Sequence, residues 1–255
     1  MISVVVAYFN RKQLFIETLK SIARSSYKNF EVIAVDDGSM DTERIDDLEF
    51  PFLRVIRIEP KDKWYYNSCV PYNIGINASN GDIVVLQNPE CLHVHDVLQY
   101  VSKVVNNSIY ISMSAYSFNE DMTRYLPGSI SPDYDSFIET FKSLPQQSVI
   151  DYVGWYNHSV YRPVHYHFCA ALTKKNLRKL NGFDERYAMG IGYEDNEFIN
   201  RVGKLGLDKI IADDISVIHQ WHPKVYDLIN SKHLALYGRN ALLYRRSKNE
   251  RSMHV

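Results

Sequence analysis

From Ile2 to Val105 the chain alternates short β-branched runs with segments whose apolar positions recur at helical spacing, the pattern of a mostly parallel sheet covered by helices. Ile2 to Ala7 reads as a first strand. Arg11 to Ser25 reads as a helix with Leu14, Thr18, Leu19 and Ile22 on one face. "FEVIAVDDGS" gives a second strand that breaks at Asp36-Asp37-Gly38-Ser39, and Leu53 to Ile58 a third. Asn67 to Ala78 is a helix, "NGD" a turn, Ile83 to Gln87 a fourth strand and Asp96 to Val105 another helix.

Periodicity weakens after that. Between Ser112 and His167 the chain has repeated Pro and Gly breaks, one helical stretch at Tyr134 to Lys142 and many Tyr, Asn and Asp residues, and it reads as an elaborated loop region. Regular patterning returns with "YHFCAALTKKNLRKLNGFDERY", a strand followed by a helix from Lys174 to Leu180 that stops at Asn181-Gly182. Glu194 to Leu205 is a helix, Lys209 to His219 holds one or two strands, and Lys224 to Tyr244 is a final helix before a basic tail. The expected fold is one α/β domain over residues 1–222, with a mixed, mostly parallel sheet flanked by helices. A regular first half (1–108) precedes a less regular second half (109–222), and a helical tail (223–255) follows.

Composition narrows the classes. A chain of 255 residues that is 45% hydrophobic can bury a full core. Lys plus Arg total 29 and Asp plus Glu 30, so no overall field draws it to nucleic acid or to an anionic membrane. The three cysteines have no CxxC spacing, which disfavours a disulfide framework or structural zinc and fits a reducing compartment. "MISVVVAYF" has too short an apolar run and no basic leader for an export signal, so the cytoplasm is the expected location.

Open α/β sheets bind ligands beyond the carboxyl ends of their strands. Here those ends carry Tyr8-Phe9-Asn10-Arg11, Asp36-Asp37, Asn88-Pro89-Glu90 and His219, which converge on one cleft. A strand-end carboxylate such as Asp37 accepts hydrogen bonds from a base or a ribose, although an Asx-turn explains it equally well. Pro89 stiffens the loop that presents Glu90. If a nucleoside diphosphate fills the cleft, Glu90 is placed to hold a hard divalent cation, the alternative being a solvated loop acid. In "VIHQWHP", His219 stands at the strand end and His222 lies three residues on, and one imidazole beside a carboxylate suits manganese. Glu194-Asp195 opens a helix, where the dipole favours ionised carboxylates and a rigid general base can be held.

Taken in order, "SVVVAYFNR", "FEVIAVDDGS", "NIGINASNGDIVVLQNPE", "LNGFDERY", "GYEDNEF" and "VIHQWH" resemble a glycosyltransferase of the GT-A (Rossmann-like) fold, family 2 type. The stretch from Phe168 to Val202 is similar to the GWGGEDxDxxxR pattern of galactosyltransferases and polypeptide N-acetylgalactosaminyltransferases. The resemblance implies an inverting transfer from a nucleotide-sugar, UDP by family habit, to a glycan or glycoconjugate hydroxyl. By it, Ala7, Tyr8 and Phe9 line the nucleoside pocket, Asp37 addresses uracil and Arg11 approaches the diphosphate. Asn73 and Asn88 join the donor site, Asp195 is the base and Glu194 contacts a sugar. The DxD metal motif falls on Gln87 to Glu90 with its aspartates gone, so Glu90, aided by His219, is left to hold Mn2+ or Mg2+. Tyr72 replaces the Arg of an "ARN" motif, and Ile191 and Tyr193 replace a Trp and a Gly of GWGGED.

Sugar rings pack on aromatic planes, which nominates Trp155 and Tyr156, with Asn157 and His158, for acceptor contact; core packing is the competing role for Trp155. His165 and His167 read as residues flanking a strand without chemistry. Arg239, Arg245, Arg246, Lys248 and Arg251 make the last helix basic, which fits a solvated terminus better than a membrane contact. The rival function is a module of the same fold that binds nucleotide-sugar or glycan without turnover. A sugar nucleotidyltransferase is disfavoured, because no Gly-rich loop follows the first strand.

Overall fold

The computed structural model describes residues 1–130, 134–224 and 226–249, apart from the side chains of 127–130, 134–136 and 249. Its first half follows the hydrophobic pattern closely. β1 (Ile2–Tyr8), β2 (Phe30–Asp36) and β3 (Leu53–Arg57) are parallel neighbours, and β4 (Ile83–Gln87) joins the other side of β1 in parallel. α1 (Lys12–Ala23) covers one face with Phe15, Thr18, Leu19 and Ile22, and α2 (Cys69–Ala78) covers the other. Alternation along β1 divides its side chains between two cores: Val4, Val6 and Tyr8 pack under α1, whereas Val5 and Ala7 pack toward α2. Gly75 in α2 sits so near β1 that a Cβ there would lie 2.4 Å from a Val5 methyl carbon.

Beyond β4 the sheet becomes mixed. β5 (Cys91–His93) is followed by α3 (Val97–Val104) and β6 (Ile109–Ser117), then α4 (Glu120–Ile130) and α5 (Tyr134–Lys142). After them come β7 (Gly154–Asn157), β8 (Cys169–Thr173), α6 (Lys174–Leu180), α7 (Glu194–Lys204), β9 (Asp208–His219) and α8 (Ser231–Asn249). The strand order is β3-β2-β1-β4-β8-β6-β9-β5, with β7 on β6. β8 runs antiparallel to β4 and β6, and β9 is parallel to β6.

The middle segment departs from the loop expected there. β6 is buried at every position after Ile109. Its Ile111, Met113 and Ala115 face the main core, while Ser112 and Ser114 bond to Asn157 and to backbone carbonyls of β9. Serine at alternate positions reads as loop in a sequence, yet a buried hydroxyl with partners is tolerated in a sheet. The last helix also begins later than expected, at Ser231 rather than Lys224, after Pro223 and a turn through Asp227 to Asn230. The tail from 250 onward, with Arg251, lies outside the described residues.

Candidate active site

Register builds the first part of the site. β5 pairs antiparallel with the end of β9 so that Cys91 opposes His219, which sets Glu90, one residue earlier, against the His219 ring. Gln220 fixes the turn, its backbone and side-chain N–H groups both donating to the Glu90 carbonyl. The Glu90 side chain is 2% exposed and lies 2.8 Å from Arg11 Nη1, 3.1 Å from His219 Nε2 and 3.6 Å from His222 Nε2. Burial alone would raise its pKa, but the Arg11 guanidinium and the two imidazoles overcome that and hold the carboxyl well below the usual range.

One ligand atom each from Glu90, His219 and His222 falls within 4.8 Å of the others. His222 Nδ1 is 2.9 Å from the Pro223 carbonyl, which only accepts, so that nitrogen carries the hydrogen and Nε2 is left to face Glu90. A carboxylate with two imidazoles suits a borderline divalent cation such as Mn2+. His222 thus joins the two residues that sequence alone put forward. Gln87, at the first DxD position, is a core residue that bonds Cys91 and His93 instead.

Next to Arg11 opens a cavity of about 520 Å³ lined by Ala7, Phe9, Arg11, Asp37, Lys63, Tyr65 and Glu194 among others. Gly38, at φ +76°, turns the chain after β2 so that the adjacent acids diverge. Asp36 turns to Arg57 at 2.6 Å, whereas Asp37 faces the cavity and accepts from Lys63 Nζ and Tyr65 Oη, each at 2.6 Å. Burial raises the Asp37 pKa despite both donors. Lys63 Nζ also sits 4.7 Å over the Phe9 ring centroid.

α7 supplies the opposite wall. Tyr193 precedes it at φ 69°, in the left-handed conformation that the family's glycine would adopt without strain. Glu194 Oε2 accepts from Asn67 Nδ2 at 2.6 Å, and burial followed by the charge of Asp195 pushes the Glu194 pKa up. Asp195 Oδ1 lies 2.5 Å from His167 Nδ1, a close ionic contact off the line of an ideal hydrogen bond. Burial pulls the His167 pKa down, but Asp195 raises it by more, so the net shift is upward. Tyr72, fully enclosed, stands between the two acid centres. Its hydroxyl reaches the Gln87 carbonyl and Asn88 Oδ1, its ring meets His167 edge-on at 4.7 Å, and burial, then Glu90 and Asp195, drive its pKa upward.

Ala7, Phe9, Arg11, Asp37 and Glu194 therefore share one cavity, with Glu90 and His219 behind Arg11 and Asp195 beside Glu194. Tyr8 lines the same cavity, although strand alternation packs its ring under α1, where the hydroxyl donates to the Glu43 carbonyl. Three expectations need correction. Asn73 ties α2 to the Phe183–Glu185 turn through the Phe183 N–H and carbonyl. The Asn88 side chain faces Tyr72. Trp155, 4% exposed, packs against Tyr116 and Phe141 with its indole N–H on Gln146, so no ring face is offered to a sugar. Tyr156 does lie near the site, its ring centroid 4.9 Å from that of His219. Lys63, Tyr65, Asn67 and His167 escaped sequence reasoning; "KDKWYYN" has no helical or strand period, and only a cluster of aromatic and polar residues marks it.

The Glycosyl transferase family 2 model matches residues 3–166, and a model of the N-terminal domain of galactosyltransferase matches residues 166–222. An uncharacterized glycosyltransferase of Rickettsia conorii is 30% identical over 121 residues, which is 47% of this chain and 20% of that protein. The chain therefore spans about a fifth of that relative. The amylovoran biosynthesis glycosyltransferase AmsB of Erwinia amylovora is 26% identical over 226 residues, 85% of this chain and 69% of its own. Among solved structures, the mannosyltransferase PcManGT from Pyrobaculum calidifontis, in complex with GDP-Man and Mn2+, superposes with a TM-score of 0.54 at 16% identity, covering 95% of this chain and 64% of that one. S. aureus TarS in complex with UDP-GlcNAc gives 0.55 at 16%, covering 90% and 61%. With the family model spanning well over half of its length and the fold matching throughout, the chain belongs to glycosyl transferase family 2 and has the GT-A fold.

Proposed function

We propose that the chain transfers a hexosyl or N-acetylhexosaminyl group from a UDP-sugar to a hydroxyl of a glycan or glycoconjugate, with inversion at the anomeric carbon. The observation that carries this reading is the shared cavity: Asp37 and Arg11 on one wall and Glu194 on the other, with a potential cation site and an oriented carboxylate behind them. Asp37 accepts from the base, Arg11 meets the diphosphate, and Glu194, fixed by Asn67, holds a sugar hydroxyl. Asp195, kept in place by His167, takes the proton from the acceptor hydroxyl as it attacks. Glu90, His219 and His222 would hold a divalent cation, Mn2+ by donor chemistry, which would supply positive charge to offset that of the departing diphosphate.

Residues 1–108 then serve as the nucleotide half and 109–222 as the acceptor half. The three cysteines are free and buried, which supports a reducing, cytoplasmic location. The name of AmsB supports polysaccharide biosynthesis as the setting. The test is incubation with UDP-hexoses and UDP-N-acetylhexosamines, Mn2+ and glycan acceptors, with the anomeric configuration of product read by proton NMR. Transfer with inversion is the expected result; a retained configuration, or donor binding without product across the acceptors, would overturn the reading.

A further inference from the structure

α8 docks through polar groups and tyrosines and leaves part of its apolar surface outward. Asn240, fully buried, donates to the carbonyls of Tyr187 and Gly192, and Ser247, 5% exposed, meets the Tyr187 hydroxyl. Tyr237 and Tyr244 pack on Tyr193, at 5.1 and 5.6 Å between ring centroids. Gly190 is required for this approach, since a Cβ there would fall 2.2 Å from Asn240 Oδ1. Leu236 and Leu243 are partly buried, but the outward face carries Leu234, 53% exposed, and Leu242, 55% exposed, continued by Leu228 and a nearly bare Ile229 on the preceding turn. Helical spacing lines up Leu234, Gly238 and Leu242, with Arg245 among them and Arg246 at the edge beyond Leu242. In Ser231–Asn249 there are five Lys or Arg residues and no acid.

A water-facing helix places its leucines inward. One that leaves leucines outward among arginines and carries no acid can rest on a lipid interface, its apolar side chains entering and its arginines reaching anionic headgroups. We propose that the outer face of α8 seats the protein on an anionic bilayer surface. Charge complementarity selects this occupant. A two-fold contact between copies through the same face would bring together two helices that carry five cations each and no acid, whereas acidic lipid attracts every cation on the helix. Among the described residues no helix is long and apolar enough to cross a membrane, so the mode is peripheral. Because α8 also holds the Tyr193 entry to α7, seating it would set the cleft at a fixed height above the surface.

The test needs no turnover and stands apart from the transfer reading. The chain is sedimented with vesicles of phosphatidylcholine alone and of phosphatidylcholine mixed with phosphatidylglycerol, across a salt series. Binding is expected to the mixed vesicles and to weaken as salt rises. Leu234→Ser with Leu242→Ser should lower it at least tenfold, and Arg245→Gln or Arg246→Gln about fivefold each. Circular dichroism checks that each variant is folded; should one not be, the salt series on the parent chain decides. The proposal is overturned by absent binding, by equal binding to both vesicles, by folded variants that bind like the parent, or by a concentration-dependent dimer that Leu242→Glu dissolves.

Discussion

Two carboxylate–imidazole clusters flank the cleft, and their settings differ. Glu90 is closed in among Arg11, His219 and His222, all potential cations, and its proton affinity is pushed far down. The Glu194–Asp195 pair has two adjacent acids facing one histidine and one amide, and there the Glu194 and His167 proton affinities both rise. The first arrangement keeps a permanent negative charge ready for a cation. The second keeps protons within reach of a base. Opposite shifts in neighbouring carboxylates are how one fold separates charge holding from proton transfer.

The sharpest break in this comparison is Asp195→Asn. The amide keeps the size but cannot accept the acceptor's proton, so turnover should fall by about 10²–10⁴-fold while nucleotide-induced stabilisation stays at the parental level. Equal activity in rate assays would remove Asp195 from proton transfer. The counterpart on the other side is Glu90→Gln. It leaves Arg11, whose side chain is 19% exposed, facing a neutral amide, and should cost about 2–3 kcal/mol in urea unfolding. The melting shift expected on adding Mn2+ should vanish with it. A retained shift would place the cation elsewhere. Arg11 and a cation compete for the same carboxylate, so Arg11→Gln should tighten Mn2+ binding in calorimetry while weakening nucleotide-sugar binding.

The two clusters were not equally legible in the sequence. Glu90 and His219 each stand at the end of a recognisable strand, and the open α/β rule alone places them on one side of the sheet. What joins them is the antiparallel register of β5 on β9, and a three-residue strand such as Cys91–His93 leaves no periodic trace. Asp195 was visible from its helix start, but its partner His167 was read as inert because only the folding of β8 beside α7 brings them together. Trp155 was misassigned for a related reason. Its composition suits either a sugar platform or a core, and the choice rests on α5 packing over it, which single-residue chemistry does not encode. Tyr8 and Ala7 show the opposite case: their place at the end of β1 is enough to put both on the cavity, while alternation sends their side chains to different cores.

Acid and alkali should loosen the two clusters in opposite directions. His167 has a folded pKa above its ordinary 6.5, so the stability it contributes is fully present below that value and is lost as pH rises through the folded pKa. Glu90 has a folded pKa below its ordinary 4.5, so its contribution is present above that value and is lost as pH falls through the lowered one. The difference in unfolding free energy between the parent and His167→Gln should therefore be largest below pH 6.5 and shrink above it. A constant difference across pH would mean that the ring acts through packing on Tyr72 and Phe183, not through charge.

Tyr193 gives the smallest effect and the finest test of how the second cluster is held. Its left-handed backbone costs about 1–2 kcal/mol for an L-residue, and Tyr193→Gly would relieve that. The same change removes the ring contacts with Tyr237 and Tyr244 and the hydroxyl contact at 3.2 Å, worth about 0.5–1.5 kcal/mol, and adds glycine's freedom in the unfolded chain, about 0.5–1 kcal/mol. These terms nearly cancel, so global stability should move by less than about 1 kcal/mol. Local stability should not be spared. Without its ring anchor α8 keeps the Asn240 and Ser247 bonds and the Ile191 N–H to Leu236 carbonyl bond to the Tyr187–Gly192 segment, and its amides should exchange hydrogen faster while those of β1 and β4 stay protected. A loss of global stability above about 2 kcal/mol would show that the tyrosine is held there for packing and that its strained backbone contributes little.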